Sequence, residues 1–230
     1  YASKLHSFFA WLCTRGHLDT NPINQSDFSN PDYSDKRALE RSEVERIIAA
    51  ITNHSGNRFL LKRNLAILKV FLFAGLRKSE LLSLKVRDAD PHTRTLTVRG
   101  ATSKSRRTRL VPINIEVTTA IEDYLQERRF RRFKSEFLWV SNAADKRLTE
   151  HGMKHWVKII RHHSGVSFHL HRFRHTYACM LGRNNVSAIK IQRLLGHADL
   201  RMTQTYLRSL GVDDVRDSVQ FLTLENLPGV

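Results

Sequence analysis

The stretch from Leu194 to Tyr206 reads LLGHADLRMTQTY and contains the signals for one helix end and one helix start. Gly196 is suited to close a helix, and Asp199 is suited to cap the next one, so Tyr206 falls one to two turns into that second helix. A phenol has a pKa of about 10 and needs cations and a proton acceptor close by to act as a nucleophile at neutral pH. Taken alone, Tyr206 is more often a half-buried packing residue, so the rest of the chain must supply those groups.

A second stretch, HLHRFRHT, begins at His169 and gathers imidazoles beside guanidiniums. His171 and Arg174 are three residues apart, so a helix places them on one face. The pair suits a phosphate diester, because an imidazole can hold or move a proton while a guanidinium grips two non-bridging oxygens. A zinc site is the alternative, but neither cysteine lies near in sequence and no acidic ligand falls at a usable spacing. The sequence therefore favours an anion site here.

Two further stretches add charges of the same kind. In AGLRKSE, Arg77 follows a glycine break and Glu80 lies one turn later, where its carboxylate can hold the guanidinium. The alternative is a surface ion pair worth about a few tenths of a kcal/mol. In SKSRRTR, Lys104 lies in a predicted hairpin loop that can carry an ammonium into a DNA groove to protonate a leaving oxygen. The alternative is a solvated basic turn that contacts only phosphates.

Hydrophobic periodicity predicts an α+β fold that is mostly helical and carries one small three-stranded antiparallel sheet. Ser42 and Glu45 form a capping-box pattern for the second helix, and Gly75 is suited to end the third. The predicted helices are 3–14, 42–51, 59–74, 78–84, 116–130, 149–163, 171–183, 186–195 and 202–210. The predicted strands are 86–89, 95–99 and 108–113, and the basic loop 100–107 joins the last two. Residues 19–35 lose periodicity and are rich in Asn, Ser, Pro and Asp, which indicates a linker.

The charge of the chain indicates the class of its partner. Its 230 residues include 38 Lys and Arg against 22 Asp and Glu, a formal net charge of +16. This excess favours nucleic acid over a membrane, because the charge is not gathered on one amphipathic helix. No apolar run approaches the roughly 18 residues that span a bilayer, and no signal-peptide pattern is present. Cys13 and Cys179 are expected to be buried thiols, and a cytoplasmic, nucleoid-associated protein is expected.

The order and spacing of these stretches resemble the tyrosine recombinase, or phage integrase, family. The phrases that carry the resemblance are AGLRKSELLSL, SKSRRTRLVPI, HLHRFRHTYA and LLGHADLRMTQTYL, with Tyr206 nine positions after His197. They extend over about residues 36–210. The resemblance implies a catalytic domain at 36–210. It also implies the end of a core-binding domain with its linker at 1–35, and a tail at 211–230 that docks on a neighbouring protomer. The alternative for the tail is that it folds back on its own domain.

The resemblance implies six catalytic residues, which are Arg77, Lys104, His171, Arg174, His197 and Tyr206. In that family the two arginines clamp the scissile phosphate, the lysine protonates the departing 5′ oxygen, and the tyrosine is the nucleophile. His171 matches the residue that exchanges a proton with the nucleophile, and His197 matches the one that bonds the phosphate. Glu80 is expected to buttress the site and His175 to support the fold.

Four other arginines are predicted to contact DNA, namely Arg106, Arg107, Arg109 and Arg172. Arg172 occupies a position that is more often apolar in the family, so it is expected to point to solvent or DNA. Tyr177 is a rival nucleophile, but it shares an apolar helix face with Met180 and Leu181, which favours packing.

The function implied is site-specific DNA recombination through a 3′-phosphotyrosine intermediate, without metal, ATP or any cofactor. The implied partners are double-stranded DNA and further copies of the chain in a tetramer, and accessory DNA-bending proteins are compatible with this function. The alternatives are a type IB topoisomerase-like enzyme and a DNA-binding regulator that has lost catalysis. The six intact residues argue against the regulator, whereas the tail and the first helix favour the recombinase because both are assembly features.

Overall fold

The computed structural model describes residues 2–23, 38–100, 108–197 and 199–207. The chain divides into two compact units, Tyr1–Lys36 and Arg37–Val230. In the first unit, helix α1 (Ala2–Thr14) agrees with the predicted amphipathic helix. The Asn21 side chain donates to the His6 carbonyl at 3.1 Å, which holds the segment after the helix against it.

The second unit opens with α2 (Arg41–His54), whose start is fixed by a local cap. Glu40 and Glu43 form the capping box, and the Glu40 N–H donates to the Glu43 carboxylate at 3.0 Å. The predicted capping box of Ser42 and Glu45 is therefore wrong by two residues. Glu45 instead accepts from Arg41 in an exposed pair four residues apart.

Helix α3 (Arg58–Ala74) is the long apolar helix, and most of its residues are buried. It ends as predicted at Gly75, which has a φ of 60°. This left-handed conformation is unfavourable for residues that carry a Cβ. The chain then enters α4 (Lys78–Ser83) almost at once, so Arg77 stands between the two helices as the N-cap of the second.

The sheet contains three antiparallel strands in the order β1 (Ala89–Asp90), β2 (Thr95–Val98) and β3 (Arg109–Pro112). The predicted three-stranded sheet is confirmed, but most of the first predicted strand is wrong, because Val86–Asp88 forms a short 3-10 helix. In the register of β2 and β3, Leu96 pairs with Val111. Both side chains are buried, so this face of the sheet covers the core.

The remaining helices are α5 (Ile115–Phe130), α6 (Glu150–Ser164), α7 (Leu170–Arg183), α8 (Ala188–Leu195) and α9 (Leu200–Leu207). Most buried apolar side chains form one large core, in which α3 packs against α5 and α7. A second, smaller cluster joins Tyr177 and Ala178 of α7 to Ile191 and Leu195 of α8. Burying a side chain of the size of Ile or Leu stabilises the fold by about 1.5–3 kcal/mol. The contacts of this cluster therefore hold the C-terminal end of α8 against α7.

The two cysteines differ in their burial. Cys179 is buried as predicted, whereas Cys13 is only partly buried, and both are free cysteines. Within the described ranges, no helix combines the length and the apolar character needed to cross a membrane.

Candidate active site

Two helix ends meet at Arg174. α3 ends at Gly75 and α8 ends at Gly196, each in the left-handed conformation. The carbonyls of Gly75 and Leu195 each accept a hydrogen bond of 2.6 Å from the Arg174 guanidinium. The last carbonyls of a helix lack an intrahelical donor and carry the negative end of its dipole, so they stabilise a buried cation. Arg174, which is 1% exposed, is thereby fixed where the two helices end.

Tyr177 fills the space beside the first of these glycines. A Cβ on Gly75 would overlap the Tyr177 ring, so the close approach of α7 to the end of α3 needs glycine. Tyr177 is 6% exposed, and burial raises the pKa of its phenol. Both observations support the prediction that Tyr177 packs in the core, and they make it a poor nucleophile.

Glu80 joins two arginines from distant parts of the chain. Its carboxylate is fully buried and accepts from Arg77 Nη1 at 2.9 Å and from both terminal nitrogens of Arg109 at 3.0 Å. The Arg77 backbone N–H also donates to it at 2.9 Å. Burial alone would raise the pKa of Glu80, but the hydrogen bonds from Arg109 and Arg77 and the charges of both hold that pKa below its usual value. The predicted Arg77–Glu80 pair is confirmed, with the Glu80 side chain fully buried and the Arg77 side chain partly exposed.

Glu80→Gln is expected to lower the free energy of unfolding by about 3–5 kcal/mol at neutral pH, because two largely buried guanidiniums lose their shared counter-charge. The pKa of Glu80 is lowered in the folded state, so its contribution is present above the ordinary carboxyl pKa of 4.5 and is lost as the pH falls below that value. Urea unfolding over a pH series should therefore show the difference from wild type shrinking below pH 4.5.

The matched control for that measurement is Glu45→Gln. It removes only the exposed pair with Arg41, so we expect a change of about 0.5 kcal/mol or less. Equal losses of stability in the two variants would contradict a central role for Glu80.

His171 and His197 lie among these arginines. His171 is exposed at the start of α7, yet desolvation by the surrounding protein, followed by the charges of Arg174 and His169, lowers its pKa to about 4. His197 follows the end of α8 and is 7% exposed. Its burial, followed by the charges of Arg174 and Arg77, lowers its pKa to about 3. Both imidazoles are therefore neutral at pH 7.

The His197 ring is linked to the last described helix. Its Nδ1 lies 2.8 Å from the hydroxyl of Thr203, a residue of α9 that is fully buried. Asp199 caps that helix as predicted, since its carboxylate accepts from the Arg201 N–H at 2.9 Å. The backbone of Tyr206 lies in the same helix, one turn after Thr203, and its side chain is outside the described part. Sequence reasoning missed Thr203, because a single threonine within a helix carries no signal of its own.

Four of the residues predicted to act on DNA lie in or next to the basic loop 100–107. Lys104, Arg106 and Arg107 lie outside the described residues. Arg109 is described, and both its terminal nitrogens bind Glu80 while its Nε donates to the Leu194 carbonyl at 3.3 Å. The structure therefore places Arg109 within the site, as a support for Glu80, and its contact with DNA stays a prediction.

Arg172 departs further from its prediction. Its guanidinium is buried and donates to the Glu43 carboxylate at 2.7 Å and to the Ser167 carbonyl at 2.8 Å. The expectation that it points to solvent or DNA is wrong, because these partners hold it in the interior. His175 is buried in the same helix, with its Nε2 3.6 Å from the sulfur of Cys179, as expected of a residue that supports the fold. In the described part of the chain, no group of three or more His, Cys, Asp or Glu side chains is placed to hold a metal ion.

The sequence model of the phage integrase family matches residues 37–211, which includes every described residue of the site. The chain belongs to the phage integrase family. It is thus a tyrosine recombinase, an enzyme of DNA strand transfer and site-specific recombination, and the predicted resemblance is confirmed. The topoisomerase-like and regulator alternatives are not favoured by these similarities.

Individual relatives of this phage integrase agree with that assignment. The tyrosine recombinase XerD of Listeria monocytogenes is 29% identical over 212 residues, which are 90% of this chain and 69% of that protein. XerC of Thermodesulfovibrio yellowstonii is 30% identical over 213 residues, which are 89% of this chain and 68% of that protein. Among solved structures, the XerA recombinase has a TM-score of 0.65 at 26% identity, covering 92% of this chain and 68% of that one. The Tn1549 transposon integrase, at 21% identity, shares the fold with a TM-score of 0.74, covering 96% of this chain and 79% of that one.

Proposed function

We propose that this phage integrase cleaves and rejoins specific DNA sites through a covalent bond between Tyr206 and a 3′ phosphate. One cluster, called here the anion cradle, carries the proposal; it consists of Arg77, Glu80, Arg109, Arg174, His171 and His197. Its three guanidiniums and one carboxylate leave a net charge of +2. Fixed positive charge of this kind stabilises the negative charge that gathers on the non-bridging oxygens during transfer at phosphorus.

In the proposed step, the Tyr206 oxygen forms a bond to phosphorus as the bond from phosphorus to the 5′ oxygen breaks. The phenol proton passes to His171, whose neutral ring has a lone pair at pH 7, and Lys104 supplies a proton to the leaving 5′ oxygen. The phosphotyrosine ester conserves the energy of the broken diester. Attack by a new 5′ hydroxyl therefore rejoins a strand without ATP and returns the proton to Tyr206.

The exposed side of α6 supports a DNA contact that extends beyond the anion cradle. This helix buries Met153, Trp156 and Ile160, and its other side exposes His151, Lys154, His155, Lys158, Arg161 and His162. Lys78 and Glu150 form an ion pair of 2.6 Å, which places the start of α6 beside α4, directly after Arg77. We infer that a duplex with its scissile phosphate in the cradle meets this basic side of α6.

The double variant Lys154→Ala/Lys158→Ala is expected to weaken binding to a random-sequence duplex and to reduce the slope of log affinity against log salt by about 2, because two phosphate contacts are lost. Fluorescence anisotropy over a salt series measures that slope. Arg129→Ala/Lys134→Ala removes two exposed charges, one in the last turn of α5 and one four residues after its end. This end of α5 pairs with the start of α3 through Arg58 and Glu127. That end lies about 25 Å from Gly75, given the helical rise, so we expect an unchanged slope. Equal changes in the two variants would contradict the proposed surface.

We also propose that the active assembly on DNA is a homotetramer in which residues 211–230, outside the described part, dock on a neighbouring protomer. Exchange between two duplexes requires four strand cleavages, and the proposal gives each chain one nucleophile. Solved relatives include XerH bound to a palindromic difH substrate and a lambda integrase dimer bound to a core site. The lambda integrase dimer supports binding of more than one protomer to a DNA core site.

The experiment that tests the proposal traps the covalent intermediate. Nicked fragments of the source genome are incubated with the protein, so that the cleaved strand diffuses away and the ester accumulates, and the reaction is quenched in detergent. Sequencing of the trapped DNA should show a common site, and mass spectrometry should find it linked to the peptide that contains Tyr206. Two labelled duplexes of different length that carry the site should then give joined products of mixed length. Absence of an adduct, even with a chain extended to the length of its relatives, would overturn the proposal.

A further inference from the structure

A buried hydroxyl and a buried imidazole meet at the edge of the anion cradle. Thr203 is 0% exposed, and its Oγ1 lies 2.8 Å from Nδ1 of His197. The two residues belong to different elements, since His197 follows the end of α8 and Thr203 lies in α9. Their hydrogen bond therefore fixes the ring relative to the helix that also contains Tyr206.

The direction of this hydrogen bond follows from the needs of the hydroxyl. A buried hydroxyl that donates to nothing loses its hydrogen bond to water without replacement. Among the residues that the structure describes, Nδ1 of His197 is the one acceptor that the Thr203 hydroxyl reaches. Thr203 therefore donates and Nδ1 accepts, which requires that the ring carries its hydrogen on Nε2.

The charge state of the His197 ring explains why it is important which of its two nitrogens carries the hydrogen. Burial and the nearby guanidiniums of Arg174 and Arg77 lower the pKa of His197 to about 3, so at pH 7 the ring carries one hydrogen only. A neutral imidazole donates from one nitrogen, and the hydrogen bond made by the other nitrogen decides which one it is. Without the Thr203 hydroxyl, both tautomers become available.

We infer that Thr203 is a positioning residue that keeps the hydrogen of His197 on Nε2, so that the neutral ring donates to a non-bridging oxygen of the scissile phosphate. The inference deepens the proposed function and rests on it for the identity of the acceptor. In the same geometry, the hydrogen bond from Thr203 holds the His197 ring, which donates to the phosphate, in a fixed position relative to α9, one turn before Tyr206.

The tautomer can be measured on the intact protein without DNA, by nitrogen NMR of histidine-labelled samples at pH 7. Wild type and Thr203→Ser should show Nε2–H for His197, whereas Thr203→Val, which has the same shape without the hydroxyl, should show a mixture. A wild-type ring with its hydrogen on Nδ1 would overturn the inference, whatever the activity. Because this measurement needs no cleavage, it also separates failure of the inference from failure of the proposed function.

Cleavage of the trapped DNA site gives the second readout. Thr203→Val should slow single-turnover cleavage by about 10- to 100-fold, as is typical when a partner that orients a functional group is removed, and Thr203→Ser should stay within about threefold of wild type. His197→Trp tests the cause, because an indole nitrogen keeps its hydrogen permanently and has no tautomer to select. In that background Thr203→Val should change the rate by about twofold or less. An equal loss in both backgrounds would show that Thr203 acts only on packing and would overturn the inference.

Discussion

Tyr206→Phe is expected to abolish the covalent protein–DNA adduct and to lower the cleavage rate by about 10⁴-fold or more, because the variant lacks the one oxygen that would bond to phosphorus. The substitution removes one oxygen and keeps the aromatic ring, so the protein should bind the trapped DNA site with unchanged affinity. Detergent-quenched gels measure the adduct, and fluorescence anisotropy measures the affinity of the same samples. Loss of both adduct and binding would point to a structural role for Tyr206 instead.

Tyr177→Phe is the matched control for this prediction. Tyr177 packs against Gly75 in the interior, and burial raises the pKa of its phenol, so its hydroxyl is unsuited to attack phosphorus. We expect Tyr177→Phe to retain the adduct at a level within about twofold of wild type, since the ring that fills the space is kept. An adduct that persists in Tyr206→Phe and disappears in Tyr177→Phe would move the nucleophile to α7.

The parts of the site that the sequence predicted correctly depend on neighbours within one or two turns. Gly75 and Gly196 end their helices because the left-handed conformation favours glycine. Asp199 caps α9 through a backbone N–H two residues away, and the Arg77–Glu80 pair spans three residues. Such signals involve residues that are close together in the sequence, so they can be recognised from the sequence alone.

The parts that the sequence did not predict depend on contacts between distant elements. Arg109 binds Glu80 across 29 positions, and Arg172 binds Glu43 across 129, so neither partner follows from local spacing. A signal for Arg109 was present in the alternation of β3, where it shares the inner face with buried Val111 while Leu110 is exposed. Residues two apart in a strand lie on one face, which predicts that Arg109 points inward. The signal for Arg172 was that its position is more often apolar in the family, which indicates burial, whereas its charge led to the prediction that it points to solvent or DNA.

Arg174 presents the strongest geometric requirement in the anion cradle. Its guanidinium donates from its two terminal nitrogens to the carbonyls of Gly75 and Leu195. One of these helix ends precedes Arg174 in the sequence, and the other follows it. A guanidinium has five N–H donors in one plane, so it can bind both carbonyls and still present a donor to a phosphate oxygen. A lysine ammonium has three donors on one flexible centre and cannot span the same positions.

Arg174→Lys is therefore expected to lower the single-turnover cleavage rate by about 10³-fold although the charge is conserved, because a preorganised donor at the phosphate is lost or displaced. The control is Arg172→Lys in the same helix, where another buried guanidinium binds Glu43 and Ser167 outside the cradle. That variant should lose stability in urea unfolding, while its cleavage rate, measured where the protein is fully folded, stays within about threefold of wild type. Cleavage by Arg174→Lys at the rate of Arg172→Lys would mean that positive charge alone suffices, and that the alignment of Arg174 by the two helix ends has no part in transferring the strand.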